Sequence, residues 1–162
     1  MTDKPGAGLF AKVLTVSDGV IAGTREDLSG VALYDALTTA GFAVSECRVV
    51  ADGVDTVAGA LTSMAHGFHG LIVSTGGTGF APRDLTPEGT RSVLDREAPG
   101  LAEAMRLVSP LGRLSRGVAG TIGTAIVLNT PGSPKGCVEQ LGAVIYIVPH
   151  AIRLLADQPT TH

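Results

Sequence analysis

At 162 residues, 44% hydrophobic and 17% charged, the chain has room for one domain with one sizeable core and is too apolar to be disordered. A formal net charge of −3 argues against non-specific nucleic-acid binding, and no run approaches the ~18 apolar residues of a membrane span. The 22 glycines beside only 4% aromatics favour an α/β layer fold with many sharp turns, or backbone drawn close to a ligand, over a β sandwich.

Residues 1–8 hold Lys4, Pro5 and two glycines and read as a disordered tail, with no hydrophobic run of a signal peptide. Residues 9–158 are expected to form a single domain and residues 159–162 a C-terminal tail. Phe10–Val16 is a short run of strand formers, followed by a polar loop of about ten residues that opens with Ser17 and Asp18. Ser29 is expected to cap a helix carrying Leu33 and Leu37, which Gly41 ends. Residues 42–50 return as a strand, with Asp52 directly after it. Val57, Leu61, Met64 and Phe68 mark the core stripe of the next helix.

Residues 70–75, GLIVST, suit a strand buried on both faces, and 76–84 form a turn-rich loop. Thr86-Pro87-Glu88 has the form of a cap, a first-turn proline and a first-turn acid. Residues 101–108 look helical, and 113–123, with Gly117, Gly120 and Gly123 at threefold spacing, suit a small β-hairpin. Residues 124–128 form another buried strand, and 137–156 are largely helical with a break at Pro149. This alternation predicts a three-layer α/β/α fold whose central sheet is mostly parallel. In such a fold, ligands bind beyond the carboxyl ends of the strands, where four glycine-rich or polar loops should converge.

Thr75-Gly76-Gly77-Thr78-Gly79, directly after a buried strand, can expose consecutive backbone N–H groups to an anion, with Arg83 and the helix start at Thr86 completing a phosphate cradle. No Gly-Lys-Ser/Thr follows and no GxGxxG is completed, so the ATPase and dinucleotide loops lose their usual support. Asp52 and Asp84 could hold a Mg²⁺ ion bridging phosphate oxygens, or each could serve only as a cap. Asn129-Thr130-Pro131-Gly132-Ser133-Pro134-Lys135 is a stiff loop suited to a polar heterocycle, with Lys135 able to reach a phosphate. Ser115-Arg116 offers a hydroxyl and a guanidinium. His66 and His69 lack a third ligand and read as surface or structural residues. Cys47 and Cys137 have no zinc spacing and read as buried thiols of a reducing compartment.

The segments TVSDGVIAGTREDLSG, STGGTGFAPRDLTPEGTRSVLDREAPGLAEAM, PLGRLSRGVAG and IVLNTPGSPKG, in this order, closely resemble the molybdenum-cofactor biosynthesis family MogA/MoaB, which includes a domain of gephyrin. The resemblance implies a cytoplasmic homotrimer that binds molybdopterin, uses Mg²⁺ and ATP to adenylate the pterin's terminal phosphate, and hands the product to a molybdate-inserting enzyme. A carrier or scaffold that binds the pterin without chemistry is the alternative. Carried onto this chain, the essential and metal-binding acids fall on Asp52 and Asp84. The phosphate and nucleotide positions fall on Ser17, Asp18, Thr75, Gly76, Gly77, Thr78 and Gly79. The pterin positions fall on Ser115, Asn129, Pro131, Gly132, Ser133 and Pro134. The chain departs from the pattern at Ile122, where relatives often carry a basic residue, and at Thr130, where they often carry Leu or Met. Loss of a positive charge at Ile122 is expected to weaken phosphate binding on the pterin side.

Overall fold

The computed structural model describes residues 3–157. Six strands form one sheet in the order β2-β1-β3-β6-β5-β4. β1 (Phe10–Val16), β2 (Ala43–Val50), β3 (Gly70–Thr75) and β6 (Ala125–Thr130) run parallel, while β5 (Ala119–Ile122) is antiparallel to β6 and pairs with the two-residue edge strand β4 (Arg96–Glu97). The expected mixed sheet, layered between helices, is therefore the fold observed.

Period-two alternation distributes the strand residues between two cores. Ala11 and Val13, Leu71 and Val73, and Ile126 and Leu128 face one side. There they meet Leu33 and Leu37 of α2 (Leu28–Thr39), Met105 of α5 (Pro99–Arg106), Leu141 of α6 (Pro134–Val144) and Ile152 of α7 (Val148–Leu155). Leu14, Ile72 and Val127 face the other side, against Val57, Leu61 and Met64 of α3 (Val54–Ala65). All six residues of β3 are buried, as a central parallel strand requires. Chain direction reverses beside β1: the crossover after β1 leads outward to β2, and the one after β2 returns to β3. That switch point sits at the carboxyl ends of β1 and β3.

Local chemistry moves several expected boundaries. The stripe ends at Met64: Gly67, at φ +62°, turns the chain, and Phe68 folds back so that Lys12 Nζ lies 4.3 Å from its ring centroid. α2 is capped by Asp27, whose carboxylate accepts from the Gly30 amide, rather than by Ser29, which lies inside the first turn. The loop after β1 winds into a short helix, α1 (Asp18–Ile21), capped by Ser17. Leu85, not Thr86, occupies the cap position of α4 (Thr86–Arg91). The break near the C-terminus precedes Pro149, which sits in the first turn of α7. The hairpin is formed by β5 and β6, and most of 113–118 lies outside it.

The amino-terminal segment also differs from expectation. Within 1–8, Gly6 donates its amide to Ala40 O (2.8 Å) and Leu9 donates to Gly6 O (3.0 Å), closing a turn on the end of α2. Gly6 is buried there, and a Cβ on it would overlap the Phe42 ring. Met1, Thr2 and residues 158–162, with the expected C-terminal tail, lie outside the described residues.

Candidate functional site

A cleft of about 1040 Å³ opens at the carboxyl edge of the sheet, at the switch point. Asp52, Asp84, Ser17, Thr75, Gly76, Gly77, Thr78, Gly79, Ser115, Pro131, Gly132, Ser133 and Pro134 all line it. Asp18 and Asn129 do not.

The glycine loop is held by its carbonyls. Gly76 O accepts from Thr86 Oγ1 (2.9 Å) and Gly77 O from the Thr86 amide (3.1 Å). Thr78 O accepts from the Arg116 amide (2.8 Å) and Gly79 O from Arg116 Nε (2.7 Å). The amides of Gly77, Thr78 and Gly79 donate to none of the described residues, nor does the Thr78 hydroxyl, although Thr78 is only 4% exposed. With its carbonyls engaged and successive N–H groups unpaired, the loop is chemically suited to an anion. Glycine is required at its base. At Gly76 (φ +100°) a Cβ would strike Val16 O, and at Gly77 (φ +69°) one would strike Thr86 Oγ1 and approach Asp52 Oδ1 to 3.1 Å.

The two acids are positioned by backbone amides. Asp52 Oδ2 accepts from the Asp18 amide (2.9 Å), and the Asp52 amide donates back to Asp18 Oδ1 (3.1 Å). Asp84 Oδ2 accepts from the Ala81 amide (3.0 Å). Neither acid caps a helix: the cap of α3 is Gly53, and Asp84 closes its own loop. Oδ1 of each takes no hydrogen bond from the described residues.

Arg83, expected in the cradle, is instead committed to Asp18 (Nε to Oδ2, 2.5 Å) and to Asp52 O (2.9 Å). The guanidinium beside it holds the Asp18 carboxyl below its ordinary range. Asp18 and Arg83 thus support Asp52 from outside the cleft. Arg116 likewise spans Gly79 O, Asp84 O (2.6 Å) and Glu88 (2.7 Å), and its hydrogen bonds hold the Glu88 carboxyl below its ordinary range. Its guanidinium is a staple for the loop.

Asn129 is 1% exposed, and its amide is fully used: Nδ2 donates to Ser74 Oγ (2.9 Å) and Thr90 Oγ1 (3.0 Å), and Oδ1 accepts from Val118 N (3.1 Å). It braces the floor and does not reach the cleft. Ile122 pairs with Ala125 at the opposite, amino edge of the parallel strands, so the missing basic residue removes no charge from the cleft. Thr130 is buried and donates to Ser74 O (2.7 Å). Lys135 lines the cleft, 3.8 Å from Glu139. His69 Nδ1 contacts Thr124 O at 2.9 Å, and among the described residues no three His, Cys, Asp or Glu side chains group as a metal site.

Several lining residues were not singled out as site residues from sequence: Arg25, Glu26, Leu28 and Ser29 on the way into α2, Pro110, Leu111, Gly112 and Leu114 of one turn, and Glu139 and Gln140 on α6. Gln140 carried a signal, a polar side chain on an otherwise apolar helical stripe. The others are brought in by tertiary packing. Cations in the lining are few: Arg25 and Lys135 face four carboxylates, those of Glu26, Asp52, Asp84 and Glu139. The unpaired amides suit an anion, whereas the carboxylates outnumber the cations around them.

Known proteins share this architecture. A Helicobacter pylori (strain J99) protein named molybdopterin adenylyltransferase is 38% identical over 150 residues, covering 88% of this chain and 85% of its own. An Escherichia coli K12 protein of the same name is 36% identical over 140 residues, covering 82% and 71%. The crystal structure of the molybdopterin biosynthesis enzyme MoaB from Thermus thermophilus matches with a TM-score of 0.88 at 45% identity, over 94% of this chain and 99% of that one. The family model described as "Probable molybdopterin binding domain" matches residues 12–150, and with relatives this similar over this length the chain belongs to that family.

Proposed function

We propose that this chain is a molybdopterin adenylyltransferase, transferring AMP from ATP to the terminal phosphate of molybdopterin. The observation that carries the proposal is the run of unpaired amides at Gly77, Thr78 and Gly79, with Asp52 and Asp84 lining the same cleft. A phosphate oxygen of molybdopterin attacks the α-phosphorus of ATP. The new P–O bond forms as the bond from that phosphorus to the α,β-bridging oxygen breaks, and pyrophosphate leaves with that oxygen and its electron pair. The attacking phosphate is already ionised near neutral pH, so the absence of a nucleophilic Cys or Ser–His pair from the lining is consistent with this chemistry.

The glycine-loop amides hold one phosphate in line with the other, which converts an encounter of two polyanions into a positioned reaction. Ser17 and Thr75 lie at the ends of β1 and β3 and shape the floor beside that loop, while Asp18 orients Asp52. Ser115, Pro131, Gly132, Ser133 and Pro134 form the wall assigned to the pterin, and Asn129 braces it. Asp52 and Asp84 fit Mg²⁺: both are oxygen donors, each with one oxygen held by a backbone amide and one left over. Bound there, the ion would supply charge neutralisation of the phosphates in a cleft where carboxylates outnumber cations.

Cys137 is buried as expected, whereas Cys47, on the edge strand β2, is exposed; a reducing cytoplasm suits both free thiols. Among the described residues no helix is long and apolar enough to cross a membrane. We include a homotrimer in the proposal, in keeping with side chains such as Leu111 and Tyr146, left 77% and 78% exposed; a molybdate-inserting enzyme would receive the product. Sedimentation equilibrium at three times the chain mass supports the trimer, and a single-chain mass excludes it.

Pyrophosphate release from Mg²⁺-ATP tests the activity. Release by the wild type should require purified molybdopterin. Asp84→Asn should reduce it by at least about a hundredfold while retaining pterin binding. Pterin binding without release by the wild type would make the chain a carrier, and wild-type turnover by Asp84→Asn would remove that acid from the mechanism.

A further inference from the structure

Gln140 occupies a position where a helix made only for packing places a Leu. Cys137, Gln140, Leu141 and Val144 form the buried stripe of α6, and Gln140 is 3% exposed. Its carboxamide nevertheless makes no hydrogen bond with the described residues, and neither polar atom is sealed in, since His69 Nε2 alone among described side chains is buried without a partner. Gln140 lines the cleft, so its unpartnered carboxamide is available to a group bound there. Buried amides are almost always hydrogen-bonded, so an orphan amide on a cleft wall points to a ligand that completes it.

The surroundings identify the kind of group. Cys137, one turn earlier, has its single S–H within reach of Ser29 O (3.7 Å) and Pro134 O (3.3 Å), with the first turn of α2 lying against this end of α6. Ser29 is 8% exposed and lines the cleft with its hydroxyl unpartnered. Leu28 and Pro134 add apolar surface to the lining, and Glu26 and Glu139 add negative charge. Arg25 and Lys135 line the same cleft, so the wall as a whole is of mixed charge; the part that Gln140 and Ser29 form is neutral, polar and bordered by apolar surface. That part suits a flat, neutral ring.

We propose that Gln140 is a specificity-determining residue whose carboxamide, with Ser29 beside it, reads the hydrogen-bonding edge of a planar nitrogen heterocycle. Oε1 accepts from an amino group or ring N–H while Nε2 donates to the adjacent ring nitrogen or oxo group, the paired geometry by which an amide reads a base edge. The adenine and pterin rings of the proposed reaction both present such an edge, so the inference rests on the adenylyltransferase reading and deepens it.

The test is calorimetric titration of the full chain, wild type against Gln140→Leu, with two probes used separately: Mg²⁺-ATP and 6-hydroxymethylpterin. The unliganded melting temperature is measured alongside. Gln140→Leu should weaken one probe by about tenfold or more and leave the other within about twofold. It should melt at or above the wild-type temperature, because Leu completes the apolar stripe. The weakened probe identifies which ring the wall reads. Undiminished binding of both probes, loss of both together, or a lowered melting temperature would each overturn the assignment while leaving the adenylyltransferase reading standing. Wild-type protein that binds neither probe would overturn both.

Discussion

Beneath the cleft, one buried amide ties together parts of the chain far apart in sequence. Asn129 in β6 joins Ser74 of β3, Thr90 of α4 and the Val118 amide just before β5, using two donors and one acceptor. Asn129→Ala would leave the Val118 N–H and two hydroxyls without this partner in a site closed to water. Unfolding stability should fall by about 2–4 kcal/mol in urea titration, and an unchanged midpoint would contradict the brace. From sequence, the same residue reads as a ligand donor because it follows a buried strand and opens a Pro-Gly loop. Sequence shows which groups a residue offers but not which neighbours take them. Asp52 and Asp84 were legible because their position, after a strand and at the end of a glycine loop, already implied the carboxyl edge. The commitment of Arg83 to Asp18, 65 positions away, was not.

Among the elements, the loop between β3 and α4 depends on a residue that comes much later. Arg116 holds Gly79 O and Asp84 O and pairs with Glu88. Arg116→Met should lower stability by about 1–3 kcal/mol and turnover by about tenfold or more. Arg116→Lys should rescue little, because one ammonium cannot reproduce the planar fork. Full activity in the Met variant would show that the loop holds its shape without the staple. The pH dependence has a definite sign. Glu88 is depressed in the folded state, so its contribution is complete above its ordinary value of 4.5 and is lost as pH falls through the lower folded value. The melting temperature gap between wild type and Glu88→Gln should therefore persist at pH 6 and narrow in acid below about pH 4. A gap that widens on acidification would contradict the pairing.

Strands were the most legible elements. β1 and the fully buried β3 appear as apolar runs with the observed boundaries, because burial on both faces leaves little choice of residue. Less legible were α1, whose four residues lack an apolar stripe, and β4, whose two residues are recruited by pairing with β5.

At the scale of the whole molecule, the alternation of strands and helices implied a sheet layered between helices. Pairing order had to come from tertiary structure: β1 lies between β2 and β3, and β6 lies next to β3. That order creates the switch point and gathers residues from Thr15 to Gln140 into one cleft. In the proposed function this cleft transfers an adenylyl group between two phosphates. The most direct test is to supply ATP labelled in turn at the α- and γ-phosphorus, with Mg²⁺ and molybdopterin, and to follow the label. The α-label should move to molybdopterin while the γ-label leaves in pyrophosphate. Transfer of γ-label to the pterin, or retention of α-label in unreacted ATP despite bound molybdopterin, would contradict that function.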